Sequence, residues 1–271
     1  MACPASARRI IASNLLSTIR DLQRRQARGR RGLALIEGVR LVEEALAAGV
    51  PFRGALVAPD LTRTARGTAL VADLGRHAVP VEEVGARAFS LLADTETPQG
   101  IMAVIEPRRS SAADFAPGAG AVALVIDGVQ DPGNVGTLIR TAHALGAAGT
   151  VVLRGTADPT SPKALRAAMG ATFRHTVVPL DDAGFIGWAR KHDVTLWAAA
   201  ADGLPLHRAL GSRDGKRGPI AVIVGNEGAG IRPQLNALAA QRVAIPLAQG
   251  AESLNVAVAA GILLYEVTRG R

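Results

Sequence analysis

The chain has 271 residues, a net charge of +8 and 48% hydrophobic residues, which is enough apolar material for two ordinary domains or one large one and too much for wholesale disorder. Aromatic residues make up only 3%, which disfavours an RNA platform of exposed stacked rings, and the single cysteine, Cys3, excludes disulfides and cysteine-rich zinc sites. No apolar run reaches the roughly 18 to 20 residues of a membrane span and no secretory core opens the chain, so a cytoplasmic protein with an anionic partner, nucleic acid, is expected.

In chain order, the stretch IRDLQRRQARGRR at 19–31 carries Arg20, Arg24, Arg25, Arg28, Arg30 and Arg31 against one acid, Asp21. A solvated face is the ordinary account of such a run, but in so basic a chain phosphate contact is the better use. Half a dozen neutralised phosphates would weaken binding by roughly three decades between about 50 and about 200 mM salt. Strands at 33–36, 52–57, 78–81 and 100–105 then alternate with helices at 37–48, 67–74 and 86–92. This predicts a small α/β domain over residues 1–106 in which nothing looks catalytic. The segment PRRSSAADFAPGAG at 107–120 has no periodicity and reads as a linker.

The second domain, 121–271, alternates again, with strands at 121–126, 149–153, 176–180, 194–200, 219–224 and 242–247. Helices follow the loop at 127–134, start at Ser161-Pro162, and span 183–192, 231–240 and 253–268. In the helix after Ser161, Lys163 and Arg166 lie three apart and share a face.

Three strands end in loops of unusual composition: 127–134, 225–230 and 245–255. In a parallel sheet these converge at the carboxyl edge, where open α/β sheets bind ligands. Neither a dinucleotide fingerprint nor a P-loop fits: the second loop spaces its glycines G-x-x-G-x-G, and the first follows G-x-x-x-x-G with Asn134 rather than lysine. Locally, Asn134 and Ser253 also suit simple helix caps and Arg140 a surface charge.

At these loops the sequence resembles the SpoU, or TrmH-type, branch of the SPOUT methyltransferases. DGVQDPGNVGTLIRTAHALGA is similar to its first motif, IVGNEGAGI to its second and IPLAQGAESLNVAVAAGILLYE to its third, in the family's order, and SPKALRAAMGATF between them is similar too. The first domain, through IEGVRLVEEALAAG and TPQGIMAVIE, resembles the L30e-like substrate-binding domain attached to many such enzymes.

The resemblance implies a parallel-sheet domain with a deep trefoil knot, working as a homodimer. It also implies transfer of a methyl group from S-adenosylmethionine to a ribose 2′-hydroxyl of RNA without a metal, with rRNA favoured over tRNA. A tRNA substrate, or a catalytically silent RNA-binding factor on the same scaffold, stays open at this point. By the same resemblance, Asn134, Arg140, Glu227, Ser253 and Asn255 form the active site, while Ala200, Gly225, Ile245, Leu247 and Leu254 hold the cofactor. RNA would be gripped by Arg24, Arg25, Arg28, Arg30, Arg31, Lys163 and Arg166. A guanidinium is a poor base, so Arg140 is expected to fix a phosphate and stabilise a developing alkoxide.

Overall fold

A computed structural model describes residues 15–211 and 218–269, so Cys3 lies outside the described residues. The chain divides into two compact units. The first runs to Arg108 and also takes in Thr160–Phe173; the second comprises Arg109–Pro159 and Arg174–Arg271.

In the first unit, helical residues 15–22 (α1) and α2 (Arg25–Arg31) precede β1 (Ala34–Glu37), α3 (Val39–Ala47), β2 (Phe52–Val57), α4 (Ala65–Arg76), β3 (Val81–Glu83), α5 (Ala86–Ser90) and β4 (Ile101–Ile105). The sheet order is β1-β4-β2-β3, and only β2 and β3 run parallel. Every residue of β4 is buried, because the two-residue period of a strand sends alternate side chains to opposite cores. Ile101, Ala103 and Ile105 join Leu41, Val42, Leu70 and Leu74, whereas Met102 and Val104 join Leu15, Ile19, Leu22 and Phe89. The third strand starts at Val81 rather than at 78, since Ala78 sits at φ +53 in the turn that follows α4.

The second unit carries β5 (Val122–Ile126), α6 (Pro132–Ala144), β6 (Gly149–Leu153), then, past α7 (Pro162–Ala168), β7 (Val177–Leu180), α8 (Asp182–Lys191), β8 (Thr195–Pro205), α9 (Leu206–Gly211), β9 (Ile220–Val224), α10 (Pro233–Asn236), β10 (Gln241–Ala244) and α11 (Val256–Arg269). Its six strands are all parallel, in the order β10-β8-β9-β5-β6-β7. The apolar run of β5 is buried throughout, as a strand covered on both faces requires. One face packs on Phe115, Phe185 and Trp188; the other is covered by α6 and α11. Val135, Leu138 and Ile139 of α6 are fully buried, each contributing about 1.5–3 kcal/mol. Phe115, inside the stretch of linker composition, is buried and accepts a hydrogen bond from Trp188 Nε1 at 2.7 Å.

Two helices differ from expectation. The one predicted over 231–240 is only the four residues of α10, where Leu235 alone is buried and Leu238 is exposed. The last helix starts at Val256, not Ser253, so Ser253 is not its cap. Strand β8 runs on to Pro205 across a register shift: β10 pairs Arg242 with Ala198 and then Val243 with Leu204, looping out 199–203. Gly203 is required there, because a Cβ would stand 2.7 Å from the Val243 backbone. α7 belongs to the first unit, where Leu165 and, beyond the helix, Phe173 complete the core. Among the described residues no helix is long and apolar enough to cross a membrane.

One buried histidine couples this fold to pH. His175 in the second unit shares a 2.9 Å hydrogen bond with buried Thr150, and burial, aided by neighbouring His143, pushes its pKa down to about 4. The unfolded chain, with an ordinary value near 6.5, therefore takes up the proton first as pH falls. Stability from this group is full above about pH 6.5 and declines toward about pH 4, by at most roughly 3 kcal/mol. His175→Gln is expected to flatten the pH dependence of the urea midpoint across that window; a slope equal to wild type would rule the assignment out.

Candidate active site

Strand order puts a topological switch point, where open α/β sheets form a ligand crevice, at the carboxyl edge between β5 and β9. From β5 the chain builds outward to β6 and β7, then crosses over and builds the other half through β8, β9 and β10. Such a switch point leaves the loops after neighbouring strands diverging, with room for a ligand. The loops after β5 and β9 flank it, and the loop after β10 leads to α11, which packs on α6, β5 and β9.

Three side chains, one from the first turn of α6 and two from the loops after β9 and β10, join there in one hydrogen-bonded chain. Asn134 Nδ2 donates to Glu227 Oε1 at 2.7 Å, and Asn255 Nδ2 donates to Asn134 Oδ1 at 3.1 Å. The direction of this chain is fixed from both ends. The Asn255 carbonyl oxygen is already taken by the N–H groups of Ala257 and Val258, at 2.9 and 3.3 Å, which caps α11 and leaves only its NH₂ to reach Asn134. At the other end the Glu227 carboxylate can only accept, so Asn134 must donate to it. Asn134 is not the cap of α6, as its local setting suggested. Asp131 is, accepting from Asn134 N at 3.0 Å just before Pro132, which frees the Asn134 side chain to face the other loops.

Several residues that build the crevice were not singled out from sequence. Asn226 donates to Gly128 O at 3.0 Å and accepts from Gly228 N and Ala229 N at 2.9 Å, tying the first loop to the second. Thr156 accepts from Gly128 N and donates to Ile126 O, both at 3.0 Å. Buried Asp127 pairs with Arg232, which also pairs with Asp182. Only the preference of Asn for tight turns could have flagged Asn226; the others depend on partners far apart in sequence.

The remaining expected residues fall into four groups. Gly225 opens the second loop, and a Cβ there would lie 2.3 Å from Gly230 C and Ile231 N. Ile245, Leu247, Ser253 and Leu254 lie on the irregular 245–255 segment, with Leu247 37% and Leu254 38% exposed. Ala200 sits in the looped-out part of β8 rather than at a strand end. Arg140 is exposed on α6 and has no partner among the described residues. It lies six positions, or about 9 Å of helix rise, beyond Asn134 and stands apart from the chain of three.

The basic set divides as well. Arg24 and Arg25 are exposed, whereas Arg30 and Arg31 pair with Asp21. Arg28 turns inward, only 6% exposed, and donates to the carbonyls of Leu22 and Gln23 at 2.9 and 3.0 Å, so it is not presented to a phosphate. Lys163 is exposed, but Arg166 beside it is held by Asp94 at 2.6 Å with buried Glu37 at 4.0 Å. Among the described residues no group of three or more His, Cys, Asp or Glu is placed to hold a metal ion.

Residues 121–265 match the SpoU rRNA Methylase family, and residues 14–103 match the MRM3-like substrate binding domain. The chain is 36% identical over 249 residues to the 23S rRNA (guanosine(2553)-2′-O)-methyltransferase RlmP of Bacillus subtilis, covering 92% of this chain and 93% of that protein. It is 30% identical to a 23S rRNA (uridine(2479)-2′-O)-methyltransferase of Streptomyces viridochromogenes, covering 92% and 87%. The AdoMet-bound rRNA methyltransferase of Sinorhizobium meliloti superposes with a TM-score of 0.81 at 32% identity, over 94% of each chain.

Proposed function

Given that the chain belongs to the SpoU rRNA methylase family, we propose that it transfers a methyl group from S-adenosylmethionine to a ribose 2′-hydroxyl of 23S rRNA. The observation that carries this is the Asn134–Glu227–Asn255 chain, which ties the start of α6 to the loops after β9 and β10 at the carboxyl edge of a parallel sheet. The names of the relatives support rRNA as the substrate, and with it a cytoplasmic location.

The residues fit the cofactor's chemistry. Asn134 and Asn255 each keep one unused amide N–H suited to a carboxylate, while Glu227 Oε2 is an acceptor suited to an ammonium or a hydroxyl. Half-exposed Leu247 and Leu254 offer aliphatic walls to a purine, and Gly225, Ile245 and Ala200 bring backbone close to it. When bound, S-adenosylmethionine supplies a methyl on a sulfonium sulfur. The difficult part left to the protein is the hydroxyl proton: with a pKa about five units above neutral, full removal costs about 7 kcal/mol. Asn134, Ser253 and Asn255 orient the hydroxyl and the cofactor head. Arg140 fixes an adjacent phosphate and stabilises the alkoxide as it develops, while the proton passes to that phosphate in concert with methyl transfer.

The first unit serves as the L30e-like RNA-binding part, and the second unit, which takes in most of the 107–120 segment, as the methyltransferase. Val258, Ile262 and Tyr265 form an exposed apolar stripe on α11, 52%, 38% and 47% accessible, which suits the homodimer contact of a knotted domain. A monomer in sedimentation at micromolar protein would count against that contact. For RNA, Arg24→Ala with Arg25→Ala is expected to reduce the slope of log affinity against log salt by roughly 0.7–0.9 per lost phosphate contact, measured by filter binding. Arg28→Ala should leave that slope alone. Mapping ribose methylation across rRNA and tRNA with and without the gene tests the substrate: loss of one 23S mark is expected, and loss of a tRNA mark instead would overturn the rRNA assignment.

A further inference from the structure

The same edge of the sheet holds an ion cluster that methyl transfer does not itself call for. The Asp127 side chain is wholly buried, and Arg232 meets both its oxygens, with backbone N–H to Oδ2 at 2.8 Å and Nε to Oδ1 at 2.6 Å. The two outer nitrogens of Arg232 then grip Asp182 in a fork, at 2.9 and 2.8 Å. Asp127 opens the loop that leads to Asn134, Arg232 closes the loop whose tip carries Glu227, and Asp182 opens α8. Because a buried ion pair adds little over a well-packed apolar replacement, stability alone is a weak reason for it. Its geometry is demanding: only a planar guanidinium can point Nε at one carboxylate and both outer nitrogens at another.

We propose that Arg232 is a positioning residue which, held between Asp127 and Asp182, fixes the spacing of the first two loops so that Asn134 and Glu227 meet in the geometry that methyl transfer needs. The proposal rests on the methyltransferase reading above and adds a residue that touches neither RNA nor cofactor. The coupling runs through backbone groups and the Asn226 and Asp127 side chains. Asp127 N donates to Val224 O and Asn226 Nδ2 to Gly128 O, so the two loops are tied at their bases, and Arg232 ties the far end of the second to the start of the first.

The test uses the full-length enzyme with 23S rRNA from cells lacking the gene, measuring kcat, KM for S-adenosylmethionine and thermal midpoint for Arg232→Lys, Asp182→Asn, Asn134→Ala and the Arg232→Lys, Asn134→Ala double variant. Arg232→Lys is expected to lower kcat by about 10- to 100-fold with KM shifted far less. Asp182→Asn, which leaves the buried pair intact, should fold normally and lose a severalfold share of kcat. In the Asn134→Ala background, Arg232→Lys should lower kcat no further, because the contact it positions is already gone. Additive losses, or losses that follow only the fraction of folded protein, would overturn the proposal. Wild-type activity in the same assay separates the two readings: an inactive wild type overturns the methyltransferase assignment, whereas an active wild type beside fully active Arg232→Lys overturns the positioning role alone.

Discussion

Arg140→Ala is expected to lower single-turnover methyl transfer by about 10²- to 10³-fold while leaving S-adenosylhomocysteine binding and the thermal midpoint near wild type. The side chain is exposed on α6 and has no partner among the described residues, so its removal breaks no contact and the stability change should stay within about 0.5 kcal/mol. The loss should fall on kcat rather than on cofactor affinity, because Arg140 stands about two helical turns from the trio of Asn134, Glu227 and Asn255 and, in the function proposed, grips the phosphate of the RNA rather than the cofactor. Arg140→Lys should recover part of the rate, since it keeps the charge but not the two-pronged grip on a phosphate. Unchanged turnover in Arg140→Ala with both substrates bound would sink the assignment.

The second large effect is structural. Gly225→Ala should lower stability by roughly 3 kcal/mol or more and weaken S-adenosylhomocysteine binding by more than about tenfold. The loop after β9 doubles back on itself, with Asn226 N donating to Gly230 O at 3.0 Å and Gly230 N to Asn226 O at 2.9 Å. This lays the Gly230–Ile231 peptide over Gly225, where a new Cβ would meet backbone atoms at 2.3 Å. Backbone cannot swing aside as a side chain can, so the loop must open, carrying Glu227 away from Asn134. At about 2–4 °C per kcal/mol, the midpoint should drop by about 6–12 °C in a thermal melt. Gly187→Ala, inside α8 with nothing within 4 Å of the added Cβ, makes the contrast and should stabilise by about 0.5–1 kcal/mol. A Gly225→Ala protein that melts and binds like wild type would mean that the close approach is not kept in solution.

Local pattern carried much of the fold and less of the site. The VALVI run of β5 and the Ser161-Pro162 start of α7 are legible because burial on two faces and helix capping act over a few residues, whereas local pattern suits Asn134 as the cap of α6 and Asp131, just before Pro132, takes that place. That three loops meet at one edge is legible once the sheet is taken as parallel, since it follows from strand direction, but the choice of Asn134, Glu227 and Asn255 within them comes from the family resemblance. Arg232 with Asp127, 105 positions apart, is not, because nothing local marks which charge will be buried. Arg28 misled for the same reason: six arginines in thirteen residues look alike until one finds carbonyl partners inside. The 231–240 helix failed because Leu235 and Leu238 keep a helical spacing although only the first has a core to enter.

The placement of Thr160–Phe173 bears on how this protein can be cut. These residues sit between two strands of the second unit in sequence, yet Leu165 and Phe173 help fill the apolar interior of the first. Severing the chain near residue 108 therefore does not release two self-sufficient pieces. The carboxyl-terminal fragment would carry an excised plug with its greasy side bared, and the amino-terminal fragment would keep the matching hole. Gene fusions or domain shuffling across that point would inherit the same defect, so the two halves are bound to travel, and to evolve, as one.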